Sequence, residues 1–411
     1  MKESSKHLEL PRSVRLLMLS QSLSRLGDNF TEVALAVSVL LWSHHNPAVL
    51  GVVLAMTYAP RLSLGWIALG WIDRWHKRTL LLVGDWGRAL LVLSIAVFHN
   101  LSWTMAAIFL MYTLSMVYQP TVRTIQPQLA GSVEANRVSV TRQNQWMQAA
   151  SILAYLSSGL IILRFGSLAG FVVDSFTYLG ASVLVLTIPA TLGVWTPHPV
   201  AGASYLQQVG EGFRYIRHHR LPIGLILTSF GGMIAVAASQ VLLAPAVHTM
   251  WHLPTAIYAW MLLAVAVGAG VGSRLLETHG QQFELRKILV AGFVLTAIAV
   301  AGLAALPGIL WALLGTGIVM GIGNSAFATS IMVWLQQTLP MNIRGRVMTV
   351  RVITMGLGGL AGSLGAGFVA RHTSISLGFI ALAAILLLSS TVFVIPWFFA
   401  ASSDQPVSPP I

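Results

Sequence analysis

Gln21, Arg25, Asp28 and Glu32 follow one another at steps of four, three and four inside an otherwise apolar stretch, Leu16–Trp42. At 3.6 residues per helical turn that spacing lines all four along one stripe. An ionised side chain at the centre of a bilayer costs about 2.5–3.5 kcal/mol on insertion scales, so such residues face a cavity or a partner rather than acyl chains. Asp28 and Glu32 stand one turn apart, and two carboxylates that close in a low dielectric cannot both ionise cheaply. A carboxyl poised in that way can load and unload a proton near ambient pH. Glu32 is expected to be the protonating member and Asp28 the one paired with a cation, Arg25 lying one turn earlier. The alternative is a purely structural Arg25–Asp28 pair, with Glu32 solvated near the outer helix end.

Other polar residues stand in apolar runs. Asp85 and Arg88 lie at i, i+3, an ion pair that is as readily structural as functional. Asp174 is expected to bind a neighbouring helix. Arg61, after Pro60, is placed either to neutralise a carboxylate of the first run or to attract an anionic substrate. Arg142, Gln143, Asn144, Gln145 and Gln148 give the inner end of the fifth run a polar face suited to lining a cavity; Asn324, with Ser325, Thr329 and Ser330, does the same in the tenth. Tyr58, Tyr118 and Tyr155 are candidates to line an apolar pocket, although aromatic stripes more often serve packing. The substrate-cavity set is therefore Gln21, Tyr58, Tyr118, Arg142, Gln145, Tyr155 and Asn324. His44, His45, His248 and His252 fall in outside loops without metal-ligand spacing, so no metal and no cofactor is expected.

The elements that must hold these groups are membrane helices. Of 411 residues 56% are hydrophobic and 9% charged, with mean hydropathy +0.77; soluble proteins carry about 25% charged residues. Apolar runs of spanning length recur at 14–42, 47–71, 79–99, 101–121, 139–163, 167–194, 222–249, 254–275, 286–306, 308–334, 346–370 and 375–400. Apart from Arg164 and Arg371, which fall outside, and Arg25, Arg61 and Arg88 within runs, every Lys and Arg lies in a segment assigned to the inside. Both termini are therefore expected in the cytoplasm, with the chain in the inner (plasma) membrane. The net charge of +12 is spread over many loops rather than gathered on one face, which argues against nucleic acid. No cleavable leader is expected, and the absence of Cys removes disulfides and thiol chemistry.

The reading divides the chain into a six-helix bundle over 1–195, a cytoplasmic linker over 196–220, a second bundle over 221–400 and a disordered tail over 401–411. The linker contains an amphipathic stretch, Tyr205–His218. Arg137/Arg346 and Arg142/Arg351 share one offset, as expected of two repeated halves.

Gly65-Trp66-Ile67-Ala68-Leu69-Gly70-Trp71-Ile72-Asp73-Arg74-Trp75-His76-Lys77-Arg78 resembles the signature loop of the major facilitator superfamily. The resemblance implies a cytoplasmic gate at Asp73, Arg74, Lys77 and Arg78, with the Asp at a helix N-terminus. Leu69 and His76 replace the small residue and the Gly usual there. Ser24–Asp28, Gly84–Arg88, Val173–Thr177 and Leu339–Met348 resemble the drug:proton antiporter branch that includes macrolide efflux proteins and the enterobactin exporter. Ala154-Tyr155 stands where those antiporters carry Gly-Pro. The resemblance implies an all-α, twelve-helix transporter that works alone, exporting a small amphipathic organic compound by proton antiport with alternating access. The rival is a lipid or metabolite transporter of the same fold without proton coupling. No Gly-x-x-x-x-Gly-Lys-Ser/Thr, His-Glu-x-x-His or Gly-x-Ser-x-Gly is present, so neither ATP hydrolysis nor an enzyme is expected.

Overall fold

Apolar runs of this length can satisfy their own amide groups away from water only by coiling. A computed structural model describes residues 9–63, 75–190, 192, 195, 205–306 and 308–391, and among them there is no strand. The first helices are α1 (Arg12–Trp42), α2 (Pro47–Ala55), α3 (Ala59–Ser63), α4 (Lys77–Phe98), α5 (Leu101–Ala130), α6 (Val133–Phe165) and α7 (Leu168–Leu186). Then follow α8 (Tyr205–His218), α9 (Arg220–Pro245), α10 (Ile257–His279), α11 (Leu285–Ala305), α12 (Leu310–Thr338), α13 (Met341–His372) and α14 (Ile375–Thr391). Nine of the described helices, α4 to α7 and α9 to α13, are long and apolar enough to cross a membrane.

Local chemistry sets the ends. Asn46, Asn100 and Ser132 each precede a helix and accept a backbone N–H, from Ala48 at 3.0 Å, Trp103 at 3.0 Å and Ala135 at 3.1 Å. Pro47 follows its cap at the first helical position, where its missing N–H costs nothing. Gly131 ends α5 with φ at +74°, a conformation a side chain would strain. The run expected over 47–71 is broken: α2 stops at Ala55, the chain turns, and α3 begins beside Pro60. Pro60 has no N–H for a continuous helix to use and crowds the carbonyl four residues back. Residues 64–71 of that run lie outside the described residues.

The structure divides into two compact units. The first comprises Met1–His45, Ala59–Gly202 and Thr255–Leu263; the second comprises Asn46–Tyr58, Ala203–Pro254 and Ala264–Ile411. Two short pieces thus cross the linker division, α2 packing with the later helices and the start of α10 with the earlier ones.

In the first unit α1 runs against α6 and α7, and α4 against α5 and α7. One apolar cluster, with Val14, Leu17, Met18, Leu81, Ile125 and Trp195, closes one end of α1, α4 and α5. In the second unit α13 packs on α9, α2 and α8, and α11 on α12 and α14. Small residues let these backbones touch, as in helix pairs within lipid. A Cβ on Gly51 would stand 2.5 Å from the Ser363 carbonyl oxygen, and one on Gly367 2.8 Å from that of Pro47.

Candidate functional site

The polar stripe of α1 meets polar residues of α4, α5, α6 and α7, all within the first unit. Gln21 donates its amide to the Tyr118 hydroxyl at 2.9 Å, and that hydroxyl donates to Asp85 at 3.3 Å. Asp85 also holds Arg88 at 2.6 Å. The Arg88 guanidinium lies between two rings, 4.2 Å from the centre of Tyr118 and 4.4 Å from that of Tyr178. Such stacking suits a planar, weakly hydrated cation deprived of water. Asp85, Arg88, Tyr118 and Tyr178 are all buried.

Tyr178 donates its hydroxyl to Asp28 and so extends the chain of contacts to α1. One turn earlier on α7, Asp174 accepts from Thr31 at 2.5 Å and from Thr177 at 3.3 Å. Gly27 makes this approach possible, because a Cβ there would fall 1.9 Å from the Thr177 hydroxyl and 2.1 Å from Asp174 Oδ1. On the side of α1 turned to α6, Glu32 accepts from Tyr155 at 2.7 Å. Ser151 accepts from Asn29 at 2.9 Å and from Arg25 at 3.3 Å. Asp28 and Glu32 are partly exposed, whereas Asp85 and Asp174 are sealed. Four carboxylates and two guanidinium groups therefore share one region of the unit, more acid than base, and full ionisation would leave an excess of negative charge at low dielectric.

The structure thus brings Gln21, Asp28, Glu32, Asp85, Arg88, Tyr118 and Tyr155 into contact with one another or with shared partners. Asp174 binds α1. The ion pair that the spacing of Arg25 and Asp28 invites does not form among the described residues: Arg25 turns to Ser151 and Asp28 to Tyr178. Arg61 lies in the short helix α3 with no carboxylate within 4.0 Å among the described residues. Tyr58 belongs to the second unit, where its ring fills the notch left by Gly359, a packing role. Arg142, Gln145 and Asn324 are partly or fully exposed on α6 and α12.

Of the gate set, Asp73 and Arg74 lie outside the described residues. Lys77 is buried at the first turn of α4. Arg78 donates to the Leu186 carbonyl at 2.6 Å and reaches over the Trp195 ring. A cation on the last carbonyls of α7 meets the negative end of that helix.

Tyr178, Thr31, Asn29 and Ser151 were not legible as site residues. Their signal was position: Tyr178 lies four residues after Asp174, and Thr31 and Asn29 flank the stripe of α1.

Residues 225–411 match the sequence model of the Major Facilitator Superfamily. An uncharacterized MFS-type transporter of Bacillus subtilis (strain 168), YfiS, is 19% identical over 396 residues, covering 93% of each chain. Among solved structures, the nucleoside transporter NupG superposes with a TM-score of 0.78 at 14% identity, over 94% of this chain and 99% of its own. A bacterial homologue of the iron transporter ferroportin, in an inward-facing state, gives 0.75 at 17% identity, over 95% and 100%. The fold of this all-α chain is that of the major facilitator transporters, and its C-terminal stretch carries that superfamily's own sequence pattern.

Proposed function

We propose that the chain is a multi-pass secondary transporter that exports amphipathic organic compounds across the cell membrane in exchange for protons, by alternating access. The observation that carries this reading is the contrast within the α1 network. Asp28 and Glu32 are partly exposed and held by neutral tyrosine hydroxyls, while Asp85 and Asp174 are buried and fully engaged. A carboxyl held by a phenol keeps a proton acceptor in place whether or not it is charged, and exposure gives the proton a path. The similarity to transporters supports movement of a solute rather than catalysis. Both termini facing the cytoplasm, an inner-membrane location and a working monomer belong to the same proposal, as does the division into bundles over 1–195 and 221–400.

One observation favours a second reading, a lipid or metabolite transporter without proton coupling. The Tyr155 that bonds Glu32 occupies the place where the antiporters it resembles carry Gly-Pro, so Glu32 can be a tethered structural group. Proteoliposomes loaded with a pH-sensitive dye decide between them. Antiport requires substrate-dependent proton movement in the wild type, reduced at least tenfold in Glu32→Gln or Asp28→Asn. Substrate movement with no proton signal establishes the second reading.

A further inference from the structure

In the second unit Arg351 has no carboxylate within 4.0 Å among the described residues. Arg351 lies ten residues into α13, about 15 Å along it at 1.5 Å per residue, among apolar neighbours. Its Nε donates to the Ser229 hydroxyl of α9 at 3.0 Å, and Nη1 approaches the Met332 sulfur of α12 at 3.7 Å. Ser229 donates its own proton to the Leu225 carbonyl at 2.8 Å, which leaves its lone pairs to the guanidinium. Both partners are neutral. They orient the group without discharging it.

Among the described residues of this unit every carboxylate is paired elsewhere. The described acidic residues of this unit are Glu211, Glu277 and Glu284. Glu211 pairs with Arg346, Glu277 with Arg274 at 3.3 Å and Glu284 with Lys287 at 3.4 Å. A half-buried arginine on an apolar helix, with no acidic partner among the described residues, is costly unless something else supplies the charge. With Nε and one N–H of Nη1 engaged, Nη2 has no hydrogen-bond partner among the described residues, so the guanidinium keeps N–H donors for an oxyanion. Arg351 is also only half-buried, so a solute can reach it.

We infer that Arg351 is a binding site for an oxyanion, a carboxylate or phosphate group carried by the transported compound or by a lipid headgroup. The cargo assignment rests on the transport reading; the anion site does not. The site narrows the expected cargo to amphipathic compounds that bear an anionic group.

The test is equilibrium binding of two fluorescent probes, dansylglycine and its neutral amide, to the full chain in nanodiscs of phosphatidylcholine. Wild type should bind the anion at least tenfold more tightly than the amide. Arg351→Gln should lose that preference while still binding the amide, and Arg351→Lys should recover part of it. Retained amide binding and an unchanged elution profile show that Arg351→Gln is folded. No preference in wild type, through equal binding or through none, overturns the inference, as does a preference that survives in Arg351→Gln. Nanodiscs containing phosphatidylglycerol identify the source. Competition with dansylglycine that depends on Arg351 assigns the site to lipid and overturns the cargo assignment; its absence supports a soluble anion. Because no proton gradient is involved, failure here leaves proton antiport standing, and failure of antiport leaves this site standing.

Discussion

Arg88 shows what a buried charge needs inside a helix bundle: a carboxylate one turn away, a backbone carbonyl at 3.0 Å and an aromatic ring on either side. Removing one member of such a pair leaves the other uncompensated, at a cost of about 3–5 kcal/mol, whereas removing both costs much less. Arg88→Met should therefore lower the thermal unfolding midpoint of the purified protein sharply, and Asp85→Leu combined with Arg88→Met should recover most of the loss. Additive losses in that comparison would show that the two residues do not act as a pair. Asp85–Arg88 was legible because both partners lie on one helix at i, i+3. The Asp28–Tyr178 contact was not, since nothing in α1 names the residue of α7 that will face it. A sequence reports the neighbours along its own helix; neighbours across helices emerge only once Gly27 has let α7 close in.

At the scale of elements, α8 offers a matched pair of glycines. A Cβ on Gly212 would meet the Arg346 carbonyl oxygen of α13 at 2.5 Å, while one on Gly210 would meet nothing within 4 Å. Gly210→Ala should be neutral or stabilise by up to about 1 kcal/mol through helix propensity. Gly212→Ala should loosen α8 from α13, read as faster protease cleavage after Arg214 or Arg217. The Glu211–Arg346 pair beside it is partly exposed, so Glu211→Gln should cost under about 1 kcal/mol. The spans themselves were largely legible, because hydropathy marks the apolar slab. The helix ends were not: α5 continues to Ala130 and α6 begins at Val133, nine residues beyond and six before the expected limits of 121 and 139. Those extensions mix charges and amides with buried apolar residues, and the caps at Gly131 and Ser132 set where they stop.

For the whole molecule, the distribution of Lys and Arg predicts an orientation, and the chain is well suited to its test, having no cysteine to remove. Single cysteines placed at Ser4 and Ser402 should be labelled by a membrane-impermeant maleimide only after cells are opened. Labelling of intact cells at either position would reverse the assignment of that terminus.

Asp85 and Arg88 sit 2.6 Å apart on one rigid helix, so whatever α4 does, the two charges travel together. A lone charge crossing the bilayer feels about 2.3 kcal/mol for every 100 mV, but an opposed pair separated by less than a helical turn feels almost none of it. The transport rate should keep the same voltage dependence in the Asp85→Leu, Arg88→Met double variant as in wild type, measured under potassium–valinomycin clamps. Electrical work by this half of the protein therefore falls to charges other than this pair.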